Sequence, residues 1–172
     1  TMSITSDGSI ECFFTNIDAG HNSSNGTAST GVTINNAGTL YSRQSNSNGT
    51  GRGTVYFDES TNGTLINSGT ISADSHRAVS AGIDDDTTNF TLINSGTIQA
   101  SCWAAPDKLA GTSQVCGSGK GIHGVYVKGS GATITNETDG IIKADDYILS
   151  VSASNSTITN KGQIISDGTS GN

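Results

Sequence analysis

The fold this sequence predicts is all-β: a right-handed parallel β-helix of about six rungs, each built from three short strands. Three observations carry the prediction. The stretch Thr64-Leu-Ile-Asn-Ser-Gly-Thr-Ile-Ser-Ala returns almost letter for letter as Thr91-Leu-Ile-Asn-Ser-Gly-Thr-Ile-Gln-Ala. Weaker copies flank the pair, anchored like it on a glycine, so that Gly8, Gly38, Gly69, Gly96, Gly140 and Gly162 follow one another at 30, 31, 27, 44 and 22 residues. Between copies a further β-branched or aromatic run recurs, at Thr54-Val-Tyr-Phe, Ala78-Val-Ser-Ala, Gly124-Val-Tyr-Val and Tyr147-Ile-Leu-Ser-Val.

Each copy reads as strand, tight corner, strand. Apolar residues alternate, Asn67 stands at the corner, and Ser-Gly separates two runs of strand formers. The glycine predicts a corner with positive φ. One copy cannot bury its apolar side alone, but copies stacked about 4.8 Å apart align Ile4, Ile34, Leu65, Leu92, Ile134 and Ile158 as one interior column. Ile10, Leu40, Ile71, Ile98 and Ile164 make a second. The corner position makes a third, Ser6, Asn36, Asn67, Asn94, Asn136 and Asn160, an asparagine ladder whose stacked amides hydrogen-bond along the axis. Parallel strands joined by crossovers are right-handed.

In chain order, the first rung opens at Ser3, almost at the start, and Phe13 to Thr30 follows as a polar connection. The second rung, Thr33 to Ser42, passes through a flexible stretch at 45–53 to its third strand. The third and fourth rungs carry isoleucine, Ile66 and Ile93, at an outward position, either covered by the insertion described next or displayed as a contact surface. The longest interval holds Cys102 and Cys116, which bracket a segment containing Trp103. A disulfide there would staple an insertion at 101–119 and imply an oxidising compartment, stabilising by about 3 kcal/mol; two reduced, unrelated thiols are the alternative. Cys12 aligns with Ala73 and Ala100 on the interior side. The fifth and sixth rungs start at Thr133 and Thr157, and the chain reaches Asn172 before a third strand for the last, leaving both ends of the stack open. The 1–172 chain is thus a single solenoid domain.

These Asn-Ser-Gly-Thr-Ile repeats resemble the passenger regions of bacterial autotransporters and related surface proteins. The resemblance implies a right-handed parallel β-helix on or outside the cell, and says little of activity.

Composition agrees with a thin solenoid interior, since hydrophobic residues make up 32% of the 172 and aromatics 5%. Spaced apolar alternation argues against disorder. The net charge of -7 disfavours nucleic acid and anionic lipid as partners. No charged-then-apolar leader precedes Thr1, and no run approaches the roughly 18 apolar residues of a membrane span.

No catalytic, cofactor or metal motif is present: there is no His-Glu-x-x-His, Cys-x-x-Cys, P-loop or calcium-repeat array. His76 and His123 each precede a third strand, on one outer column with Arg52, and read as solvated surface. Asp84 to Asp86 and Asp145-Asp146 are the carboxylates a β-helix carbohydrate-active enzyme would use, but aspartate is equally a turn residue. Asn-x-Thr triplets such as Asn89-Phe-Thr are possible glycan acceptors that arise freely in so Asn-rich a chain. Trp103, Ile66 and Ile93 are the candidate contacts for a cell-surface or glycan ligand. The reading that follows is a non-catalytic extracellular structural protein whose open rungs stack head-to-tail into a filament, its partner being itself. The alternatives are a segment of an adhesin passenger and a polysaccharide lyase or hydrolase.

Overall fold

A computed structural model describes residues 1–12, 17–20, 29–43, 52–74, 76–83, 86–101 and 122–166. Its strands fall into rungs. The first holds β1 (Met2–Ile4), β2 (Ser9–Cys12) and β3 (Ile17–Asp18); the second β4 (Thr33–Asn36), β5 (Thr39–Arg43) and β6 (Val55–Phe57). The third holds β7 (Thr64–Asn67), β8 (Thr70–Asp74), β9 (Val79–Ala81) and a short β10 (Thr87–Thr88). The fourth holds β11 (Thr91–Asn94), β12 (Thr97–Ser101) and β13 (His123–Ser130), and the fifth β14 (Thr133–Asn136), β15 (Ile141–Ala144) and β16 (Tyr147–Ser154). The sixth supplies β17 (Thr157–Asn160) and β18 (Gln163–Ser166).

Three parallel sheets result, one from the first strands of the rungs, one from the second and one from the third, giving the right-handed β-helix of six rungs. The predicted columns are the core. Ile34, Leu65, Leu92 and Ile134 stack in register, as do Leu40, Ile71, Ile98 and Ile142, all at most 1% exposed. The third sheet closes the interior with Val55, Val79 and Val125. At its far corner the tilted rings of Phe57 and Phe90, 5.1 Å apart, fill the widest part. β3 lies in what the sequence reads as a polar connection; its only apolar signal is Ile17 and Ala19, both buried.

Three expectations are corrected. The repeated glycines do not adopt positive φ, unlike Gly31 and Gly131. They are required by crowding between rungs: a Cβ on Gly38, Gly69 or Gly96 would come within 2.1 Å of the glycine carbonyl one rung below. Secondly, the first rung is shifted by two residues relative to a glycine-anchored alignment. Met2 pairs with Ile34 and Ile4 with Asn36, so Ile4, not Ser6, occupies the ladder position. The cause is a wider corner. Gly8 lies four positions after Ile4, as Gly140 lies four after Asn136, and both corners close with the glycine N–H donating to a carbonyl three residues earlier. Elsewhere two residues suffice.

The third correction concerns the corner between the third and first sheets. Asn62, Asn89 and Asn155 sit there at φ between 52° and 57°, alongside Gly31 and Gly131 at 68°. Asparagine tolerates this left-handed region, and the threonine two residues later opens β7, β11 or β17, so the Asn-x-Thr triplets at 62, 89 and 155 have a structural cause. Asn89 also donates to the Asn62 side chain at 3.1 Å.

Candidate functional site

The asparagine ladder is continuous from Asn36 to Asn160. Each side-chain amide donates to the Oδ1 of the next rung, at 2.8 Å from Asn36 to Asn67, 2.7 Å to Asn94, 2.8 Å to Asn136 and 2.9 Å to Asn160. Each Nδ2 also faces the carbonyl of its own corner glycine, and the first four face a carbonyl at the start of the next rung's second strand. The ladder therefore has a direction. At its lower end the buried Oδ1 of Asn36 has no partner, because Ile4 lies beneath it. At its upper end Asn160 is exposed, and its Nδ2 holds only the Gly162 carbonyl, 3.3 Å away.

Replacing an interior member tests the ladder. Asn94→Leu leaves the Nδ2 of Asn67 without its amide acceptor and the Oδ1 of Asn136 without its donor. A loss of about 2–4 kcal/mol of unfolding free energy is expected in urea titration.

The upper end is open in its apolar columns too. Ile158 is 48% exposed and Ile164 38%, where the same positions one rung down, Ile134 and Ile142, are at most 1%. Among the described residues, β17 and β18 each have one sheet neighbour. At the lower end Met2 is exposed, but Ile4 and Ile17 are buried. The two ends are unequal, which the sequence did not indicate.

His76 and His123 are not solvated. Burial is the main cause that pushes each ring down to about 4, with the Arg77 charge adding to it. His76 sits in a polar knot at the corner between the second and third sheets. Its Nδ1 lies 2.8 Å from the Arg77 carbonyl and its Nε2 2.8 Å from Ser42 Oγ; Ser42 Oγ lies 2.6 Å from Thr54 Oγ1, which donates to the Ser72 carbonyl at 2.8 Å. A neutral ring and two hydroxyls bring three hydrogens to these four contacts, so one goes unmade. His123 stacks on Tyr147, ring centroids 4.9 Å apart, and its Nδ1 is buried without a partner. Arg52 turns its guanidinium over Tyr56 and pairs with Asp18 at 3.1 Å. Arg77 covers Tyr126 in the same way. The signal for burial was there in Ser42 and Thr54, hydroxyls on the interior parity that need a polar partner.

The remaining predicted residues are scattered. Ile66 and Ile93 stand side by side in register on the outer face of the first sheet, 37% and 36% exposed. The insertion expected either to cover them or to leave them displayed lies, beyond Ser101, outside the described residues. Cys102, Cys116 and Trp103, like Asp84 and Asp85, lie outside the described residues. Asp86 is held by Lys128 at 2.9 Å, and Asp145 is buried. Cys12 follows Ser42, Ala73 and Ala100 in backbone register, as its alignment predicts. Among the described residues no three metal-ligating side chains gather.

Among the described residues, the sixth rung thus brings together a ladder donor, two exposed isoleucines and two strand edges. A comparison with protein-family models, curated proteins and solved structures returns no match, so function is argued from this end and from the faces of the rod.

Proposed function

We propose that this chain is a non-catalytic structural protein of the cell exterior, a β-solenoid subunit that stacks end to end into a surface or secreted filament. The observation that carries the reading is the sixth rung. It exposes Ile158 and Ile164, whose counterparts in the second to fifth rungs are buried, and it leaves the Asn160 amide with the Gly162 carbonyl as its acceptor. Unpaired strand edges beside exposed apolar residues are a template for strand addition. A rung added in parallel extends every interaction already present, with no new geometry. Because added rungs extend the stack without closing it, the product is a fibre rather than a ring.

The exterior location rests on the resemblance of the repeats and on the pairing of Cys102 with Cys116 read from the sequence. Electron microscopy with sedimentation of the purified chain tests assembly. Fibres about one solenoid wide, growing longer with protein concentration and with added salt that screens the net charge of -7, are the expected result. A chain that stays monomeric at the highest soluble concentration overturns the reading.

A segment of an adhesin passenger is the second reading. The exposed Ile66 and Ile93 pair favours it, an apolar spot on an outer sheet face among polar neighbours Asn35 and Thr135.

A further inference from the structure

We propose that the partner of the open sixth rung is the first rung of a second copy, laid in parallel with Ile4 over Asn160 and Gly8 over Gly162. The inference rests on the end-to-end reading above and gives it a register and a polarity.

The chain already contains the template for this junction. Where the fourth rung meets the fifth, a two-residue corner, Asn94 to Gly96, carries a four-residue corner, Asn136 to Gly140. There the Glu137 N–H donates to the Asn94 carbonyl at 2.7 Å, the Ile141 N–H to the Gly96 carbonyl at 2.9 Å, and Asn94 Nδ2 to the Ile141 carbonyl at 3.3 Å. The sixth rung ends in a two-residue corner, Asn160 to Gly162, and the first rung of a second copy begins with a four-residue one, Ile4 to Gly8. Copying the template gives three bonds: Thr5 N–H to the Asn160 carbonyl, Ser9 N–H to the Gly162 carbonyl, and Asn160 Nδ2 to the Ser9 carbonyl.

The same register sets the apolar residues correctly. Met2, 40% exposed, falls on Ile158, and the half-buried Ile10 falls on Ile164. On the outer faces Ser3 meets Thr159. Asp7, the counterpart of Asp139, comes to the corner of Lys161, whose ammonium already pairs with Glu137 at 2.9 Å. The substitution of Ile4 for the ladder asparagine breaks the amide chain once per copy, and the Ser9 carbonyl takes the hydrogen that Asn160 would otherwise leave unpaired.

Gly8 fits this register. The nearest atoms a Cβ on it would meet are the Ile4 Cγ2 methyl at 2.9 Å and the Thr5 carbonyl at 3.1 Å, both from its own rung. In the fifth rung a Cβ on Gly140 would come within 2.4 Å of the Asn94 carbonyl below. Laid on the sixth rung, Gly8 meets the Asn160 carbonyl in the same way. Polarity excludes the symmetric alternative, because a tail-to-tail contact turns two Asn160 amide donors on each other.

The test is site-directed cross-linking of the whole chain. Ser3 and Thr159 are exposed, and the register brings them opposite each other on adjacent parallel strands. Such strands lie about 4.8 Å apart, within the Cα separation that a disulfide spans. A chain carrying both Ser3→Cys and Thr159→Cys is expected to give a ladder of covalent multimers on mild oxidation. Either substitution alone is expected to add no band to those of the parent chain. Gly8→Ala is expected to fold with a slightly lowered melting temperature and to raise the concentration needed for assembly by about tenfold or more. Fibres that form without cross-linking overturn the register while leaving end-to-end stacking intact. Dimers from Thr159→Cys alone show a tail-to-tail contact and overturn the partner. The absence of any assembly removes this proposal together with the reading on which it rests.

Discussion

Gly96→Ala is expected to cost more than about 4 kcal/mol and to prevent the chain from folding under conditions in which the parent is fully native. The added Cβ would stand 2.1 Å from the Gly69 carbonyl and 2.6 Å from the Ser68 carbonyl carbon. These are backbone atoms, so no side chain can move aside. Relief requires the third and fourth rungs to separate, and their separation breaks bonds that hold them together. The Thr97 N–H donates to the Gly69 carbonyl at 2.8 Å and the Asn67 amide to Asn94 at 2.7 Å. Close-packed interiors do not absorb such a displacement locally. Circular dichroism and urea titration check the result, with Gly8→Ala as the internal comparison. That substitution places the same methyl in the same motif and costs about 1 kcal/mol, because the nearest atoms the methyl would meet, the Ile4 Cγ2 methyl and the Thr5 carbonyl, belong to its own rung. A Gly96→Ala chain as stable as the Gly8→Ala chain would show that the rungs are not in the contact described.

Acidification supplies the second large effect. His76 and His123 are held neutral in the folded chain, each pushed from 6.5 down to about 4, first by burial and then by the neighbouring Arg77 charge. Between those values the unfolded chain binds protons that the folded chain refuses, so stability rises with pH across the window. The full contribution is present above about pH 6.5 and is lost progressively as the pH falls to about 4, at roughly 3 kcal/mol for His76 and less for His123, whose less complete burial leaves it partly screened by solvent. Urea midpoints measured from pH 7.5 to 4.5 are expected to fall steeply. His123→Phe keeps a ring against Tyr147, removes the buried unpaired Nδ1, and is expected to remove the smaller part of that slope. A slope unchanged by this variant and by a substitution of His76 would place the acid sensitivity on other groups.

Much of the fold was legible because the repeat is short and its chemistry strict. Thr64 to Ala73 and Thr91 to Ala100 announce strand, corner and strand. Their alternation assigns Leu65, Ile71 and Asn67 to the interior without reference to any other part of the chain. The ladder was legible for the same reason, since an asparagine recurring at one corner position has only its stacked counterparts and the corner carbonyls to satisfy it. What was misread depended on neighbours. The glycines looked like conformational devices, a local property, when their cause is a carbonyl one rung below. His76 looked like a surface residue because its partner Ser42 stands 34 residues earlier. Ser6 looked like a ladder member because the glycine anchor hides the difference between a two-residue and a four-residue corner.

The amino-acid sequence by itself determined which residues face inward, how many rungs there are and which amides form the ladder, because parity and period are properties of the strand backbone alone. Only the tertiary structure decided the register of the first rung, the neutral histidines at the Arg77 corner and the inequality of the two ends. Those features arise from what one rung places on the next, through contacts between residues some thirty apart in the chain and only a strand spacing, about 4.8 Å, apart in space.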